Sequence, residues 1–161
     1  MKITEMLKRE FVLEELKARN KRDALAELAG VFAKGRTKFD PEAMLHILLE
    51  RERLGSTGIG DGIAIPHGKI PGLDEMVVSF GRSREGIAFE AMDGNPVHLF
   101  FLLMAPENSA GQHLKALAKI SRMLKDPAFR KNLLEAKMHE DLFRIIAEKD
   151  DECCLESGGS S

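Results

Sequence analysis

The sequence predicts an α/β domain, and three observations carry that reading. Val97-His98-Leu99-Phe100-Phe101-Leu102-Leu103-Met104 is almost continuously apolar, as a central strand covered on both faces must be. Two Asp-Pro steps, Asp40-Pro41 and Asp126-Pro127, open segments with helical apolar spacing. Between them lie short β-branched and aromatic runs bounded by turn residues. This order of elements allows a three-layer α/β/α arrangement. With 161 residues the chain is expected to form one domain, and that length can bury most of its apolar surface.

In chain order, Phe11 to Leu16 is a candidate first strand, too short to be told from a helical turn. Asn20 should cap a helix running to about Lys34, with Leu25, Leu28, Ala29 and Phe32 on one face and Gly35 closing it. Asp40-Pro41-Glu42 starts the next helix, with Leu45, Leu48 and Leu49 as its buried stripe. This helix should end near Arg53, so Arg51 falls in its last turn and faces the glycine-rich stretch that follows. Met76 to Phe80 and Ile87 to Ala91 read as strands separated by a turn through Arg84-Glu85-Gly86. Met92-Asp93-Gly94-Asn95 is a further turn. After the central strand, Leu114, Leu117, Ala118 and Leu124 give one helix stripe, and Phe129, Leu133 and Leu134 a second. A last helix carries Leu142, Phe143 and Ile146. Residues 1–149 are read as the domain and 150–161 as a flexible polar tail that adds nothing to the core.

Composition excludes several function classes. Apolar residues make up 43% and charged residues 31%, and the formal charge is −2. That balance gives no electrostatic reason to expect nucleic acid or an anionic membrane as partner. No apolar run approaches the roughly 18 residues of a spanning helix, and the N-terminus lacks a signal-peptide core, so a cytoplasmic protein without membrane insertion is expected. The adjacent Cys153 and Cys154 cannot staple distant parts of a fold and read as tail thiols.

The unusual residues are concentrated between Leu54 and Lys69. Gly55, Gly58, Gly60 and Gly62 precede the short run Ile63-Ala64-Ile65, Pro66 ends that run, and His67 follows just past the strand end. The amides of such a loop can form an anion-binding nest, to which Ser56 and Thr57 add hydroxyl donors. The Walker and dinucleotide fingerprints both fail on glycine spacing, and His139-Glu140-Asp141-Leu142-Phe143 lacks the second histidine of a zinc-protease helix. Neither a metal nor an organic cofactor is expected. What remains is a histidine beside donors and a helix-end arginine. An imidazole is a good nucleophile near neutral pH, and phosphoryl transfer asks chiefly for in-line positioning and donors around the oxygens. From the residues alone His67 reads either as that nucleophile or as a hydrogen-bonded structural histidine, and Arg51 either as a phosphoryl-binding cation or as a helix-dipole partner.

The residues from Arg51 to Gly60, from Gly62 to Lys69, and Gln112-His113-Leu114 with its following helix resemble the enzyme IIA components of the bacterial phosphoenolpyruvate-dependent phosphotransferase system, fructose and mannitol type. The wording is most similar to the nitrogen-regulatory branch, and the resemblance covers roughly residues 3 to 147. It implies a mixed sheet of four to five strands flanked by helices in three layers. It implies a phosphotransferase in which His67 accepts a phosphoryl group, on Nε2, from a histidine-containing phosphocarrier protein. It gives His113 the role of holding the ring or the phosphoryl oxygens, whereas the residues alone also allow a polar first-turn position. Arg51 would stabilise phosphoryl charge, and Ser56, Thr57, Gly58 and Gly60 would form the phosphoryl-binding loop. His46, His98 and His139 match no motif and are expected to be structural or surface residues. Ile59, Ile63, Ile70, Leu73 and Met92 are candidates for an apolar docking patch.

Because the chain ends without an attached IIB or IIC segment, regulation by phosphorylation state is favoured, with regulatory target proteins downstream. A free-standing fructose- or mannitol-type IIA that passes the group to a IIB protein is the alternative. A non-catalytic binding module on the same fold, or a small-anion-binding domain, are the further rivals.

Overall fold

The computed structural model describes residues 1–34 and 40–159, and these described residues include six strands and five α-helices. The strands are β1 (Val12–Leu13), β2 (Gly58–Gly60), β3 (Ile63–Ala64), β4 (His67–Ile70), β5 (Val77–Ile87) and β6 (Val97–Pro106). The helices are α1 (Lys21–Gly30), α2 (Pro41–Arg53), α3 (Gln112–Leu124), α4 (Pro127–Glu135) and α5 (His139–Gly159).

β6 is the axis of the sheet. Leu99 to Met104 are each at most 1% exposed, so the apolar run predicted as the central strand is covered on both faces. β5 lies antiparallel on one side of β6, and β3 and β4 lie parallel on the other, at successive positions along it. β1 extends the sheet parallel to β5, and β2 extends it antiparallel to β3. The sheet is therefore mixed, with one strand more than expected.

Strand alternation puts the helices on both faces. Ser79 and Arg82 are three apart on β5 and point oppositely. The Ser79 hydroxyl donates to the Leu28 carbonyl of α1, and the Arg82 guanidinium donates to the Leu133 and Ala136 carbonyls at the end of α4. α1 and α2 thus form one layer, and α3, α4 and α5 the other.

Helix starts follow the capping residues. Asn20, Asp40 and Asp126 accept from the backbone N–H groups of Asp23, Glu42 and Ala128, which satisfies donors that helix geometry leaves open. α1 ends at Gly30 and tightens into a 3-10 turn over Val31–Lys34, and Gly35 lies outside the described residues.

Four expectations are corrected. The first strand shrinks to Val12–Leu13, because Arg9–Phe11 form a 3-10 turn and Leu16 N–H is drawn to the Arg82 carbonyl. The turn through Arg84-Glu85-Gly86 does not reverse the chain. Both flanks pair with β6, and the extra residues are absorbed as a bulge between Arg82 and Ile87. On α3 the buried stripe is Ala116, Ile120, Met123 and Leu124, while Leu114 is 61% exposed. The expected flexible tail is a continuation of α5. Asp150 is fully buried and accepts from the N–H groups of Ile3 and Thr4, the Thr4 hydroxyl and the Lys119 ammonium. Cys153, also buried, belongs to the core. Polar composition misled here because a buried carboxylate is tolerated when every oxygen is hydrogen-bonded. The Cys154 side chain and Ser160-Ser161 lie outside what is described.

Candidate functional site

The C-terminal turn of α2, the start of β4 and the first turn of α3 converge on a cavity of about 450 Å³. Its polar lining comes from Glu50 and Arg51 on α2, His67 and Lys69 on β4, and His113 on α3. Ile47, Leu54, Leu103 and Leu117 give it apolar walls. His67, Arg51 and His113, which lie far apart in the sequence, are therefore brought to one place.

His67 does not sit past a strand end as expected, but opens β4, paired with Leu103 of β6. Pro66 interrupts the path after β3, and the chain re-enters the sheet one step further along β6, with the Pro66 carbonyl accepting from Leu103 N–H. Gly68 faces α2, since a Cβ there would stand 2.8 Å from Ile47 Cγ2. Its absent side chain lets helix and strand approach closely. Alternation then sends His67 and Lys69 to the opposite face, toward α3.

The tautomer of His67 follows from one contact. Nδ1 lies 2.9 Å from the Ile65 carbonyl oxygen, and a carbonyl can only accept, so Nδ1 carries the hydrogen. Nε2, on the far side of the ring, is left with the lone pair. His113 is held differently, with Nδ1 at 3.0 Å from the Ser109 hydroxyl. Its pKa lies below the ordinary histidine value, through loss of hydration, then through the positive charge of Lys69, and then through His67 whenever that ring is protonated. Arg51 Nη1 donates to the Gly55 carbonyl at 2.9 Å, which fixes the guanidinium against the end of its own helix.

Of the residues expected to form the phosphoryl-binding loop, Thr57 and Gly58 direct donors into the loop itself. Thr57 is buried, and its N–H and hydroxyl both go to the Glu52 carboxylate. The Gly58 N–H goes to Ser56 Oγ. None of the four residues lines the cavity beside His67. The docking patch also divides, because Ile63, Ile70 and Leu73 are core residues whereas Ile59 and Met92 are exposed. Leu54, which lines the cavity, and Leu114, next to His113 in the chain, are 84% and 61% exposed. Lys69, to which the sequence motif gives no role, shares a face with His67 through their spacing of two on a strand.

The other histidines have structural explanations. His98 Nδ1 pairs with the Ser83 carbonyl and His139 Nε2 with the Arg9 carbonyl, each by donation from the ring, and His46 is exposed.

Comparison with known proteins places this arrangement. The family model for the phosphoenolpyruvate-dependent sugar phosphotransferase system, EIIA 2, matches residues 5–149. A nitrogen regulatory protein from Bradyrhizobium diazoefficiens is 43% identical over 147 residues, covering 91% of this chain and 95% of the relative. The fructose-specific EIIABC component of Bacillus subtilis is 37% identical over 150 residues, 93% of this chain but 24% of that longer protein. The crystal structure of the nitrogen regulatory protein IIA-Ntr from Neisseria meningitidis matches with a TM-score of 0.83 at 32% identity, covering 89% of this chain and 98% of that one. A model match over most of the chain, together with relatives covered almost end to end, makes this chain a member of the EIIA 2 family of the phosphoenolpyruvate-dependent sugar phosphotransferase system, whose proteins are phosphotransferases that carry phosphohistidine.

Proposed function

We propose that His67 Nε2 accepts a phosphoryl group from a histidine-phosphorylated carrier protein and that the phosphorylation state of the chain regulates target proteins in the cytoplasm. The observation that carries this reading is the His67 Nδ1 contact with the Ile65 carbonyl, which supports Nε2 as the nucleophile within a cavity that Arg51, Lys69 and His113 also line.

In the transfer step the Nε2 lone pair attacks phosphorus in line with the donor nitrogen. The new N–P bond forms as the old one breaks, and the donor imidazole leaves with the electron pair. The His67 ring, still protonated at Nδ1, gains positive charge, and the Ile65 carbonyl oxygen stabilises it. Arg51, Lys69 and the neutral His113 supply donors for the equatorial oxygens, where charge must be offset. Leu54 and Leu114 supply apolar contact for a shallow and releasable complex.

The nitrogen regulatory relatives, covered over nearly their full length, support the regulatory role. Similarity to the fructose-specific component supports a second reading, in which a IIB protein takes the group onward. Intact-mass spectrometry at alkaline pH, after incubation with phosphoenolpyruvate, enzyme I and the carrier protein, tests the acceptor role. One acid-labile phosphoryl group, absent from a His67→Ala variant, is expected. Discharge by an added IIB protein favours the second reading, and persistence of the group favours regulation. No gain with a competent carrier contradicts both.

A further inference from the structure

Glu52 is the residue of this region whose burial is hardest to explain by packing. It sits in the last turn of α2, beside Arg51, and is 8% exposed. Its Oε1 accepts from the Thr57 N–H at 3.1 Å and from the Lys21 ammonium at 3.2 Å, and its Oε2 accepts from the Thr57 hydroxyl. Lys21 is itself only 14% exposed and rests over the Phe89 ring at 5.1 Å. A carboxylate taken this far from water is costly, and all its partners converge on one loop residue and one cation.

Thr57 leads from that carboxylate to both functional side chains. On one side its carbonyl accepts from Ile65 N–H at 3.1 Å, and the Ile65 carbonyl is the group that aligns the His67 ring. On the other side the short loop back to the helix holds Gly55, whose N–H donates to the Glu52 carbonyl and whose own carbonyl receives Arg51 Nη1. The buried carboxylate therefore fixes the Thr57 end of the loop that leads to the nucleophile, and the backbone carbonyl of the same residue fixes the Gly55 end that receives the cation.

We propose that Glu52, acting through Thr57, is a positioning residue for phosphoryl transfer: it holds the 55–57 loop so that His67 keeps its Nδ1–H tautomer and Arg51 keeps its direction. This inference rests on the reading of His67 as phosphoryl acceptor. A network of this kind aligns reacting groups without touching the substrate, and small misplacements are expensive in rate. Its loss should lower the maximal transfer rate rather than affinity for the carrier protein.

Thr57→Val keeps the shape of the side chain and removes the hydroxyl donor. The rate of transfer from the phosphorylated carrier at saturation should fall about 10- to 100-fold, with KM for the carrier within about twofold of the parent. Imidazole 15N NMR of the unphosphorylated variant should show His67 as a mixture of tautomers, where the parent shows Nδ1–H alone. Thr57→Ser should restore both the rate and the tautomer. Glu52→Gln, which breaks the Lys21 pair and one Thr57 bond, should move both readouts in the same direction and serves if Thr57→Val does not fold. A folded Thr57→Val or Glu52→Gln protein with the parent's rate and a pure Nδ1–H tautomer overturns the proposal. If the parent itself takes no phosphoryl group, the acceptor reading has failed, and the tautomer comparison still decides the positioning role.

Discussion

The Nδ1 of His67 donates to the carbonyl of Ile65, two residues earlier in the chain, at 2.9 Å. This contact chooses the nucleophilic nitrogen before any partner arrives. It depends on Pro66, which breaks the ladder between β3 and β4 and leaves the Ile65 carbonyl to be used by a side chain.

Arg51 is oriented by the Gly55 backbone carbonyl, and its fork of donors suits phosphoryl oxygens in a way that a lysine ammonium does not. Arg51→Ala should reduce the transfer rate about 100-fold or more, and Arg51→Lys should regain only part of the loss. Rapid-quench measurement of transfer from the phosphorylated carrier checks this. Equal rates for the lysine variant and the parent would show that charge alone suffices.

His113 has a folded-state pKa below its unfolded value, so it stays neutral to lower pH than an ordinary histidine. The unfolded chain binds this proton more readily, and the group costs stability as pH falls through the unfolded value near 6.5 toward the folded one. NMR titration should give a midpoint under 6.5 for His113. Lys69→Gln should raise that midpoint only in part, since desolvation is the larger cause. A midpoint unchanged by that substitution would remove Lys69 from the electrostatics of the site.

Gly68 of β4 packs directly against Ile47 of α2. Gly68→Ala puts a methyl 2.8 Å from Ile47 Cγ2 and should destabilise the fold by about 1–3 kcal/mol. Adding Ile47→Ala should recover part of that cost, a non-additivity readable in urea unfolding. Strict additivity would place the strain elsewhere.

Asp150 ties the two ends of the chain together. Burial alone would raise its pKa, but hydrogen bonds from Lys119, Ile3 and Thr4 outweigh it and hold the carboxyl below the ordinary aspartate value. Its contribution to stability is thus complete above the unfolded pKa of 3.8 and is lost as pH falls below it toward the folded value. Asp150→Ala leaves Lys119 without its buried anion and should cost about 3–5 kcal/mol in denaturant unfolding. An effect under about 0.5 kcal/mol would mean that the contact is not held in solution.

Features of the fold that depend on neighbours in sequence were legible in it. The Asp40-Pro41 and Asp126-Pro127 starts, the Asn20 cap and the β6 run follow from capping chemistry and from burial on both faces. β4 was not legible, because His67-Gly68-Lys69 has no apolar alternation and joins the sheet through β6, distant in sequence. Of the candidate site, His67, Arg51 and His113 do line one cavity. The bonding of the Thr57 donors was not legible because it depends on the buried carboxylate of Glu52, and a glutamate in a helix's last turn gives no sign in sequence of being buried. The polar end of α5 was misread for the same reason, since Asp150 finds its partners almost the whole chain away.

The most direct measurement is 15N and 31P NMR of the protein, labelled at the histidine ring nitrogens and phosphorylated through enzyme I and the carrier. One phosphoryl group is expected, bonded to Nε2 of His67, with Nδ1 still protonated. A phosphoryl group on His67 Nδ1, on His113 or on any other residue would contradict it.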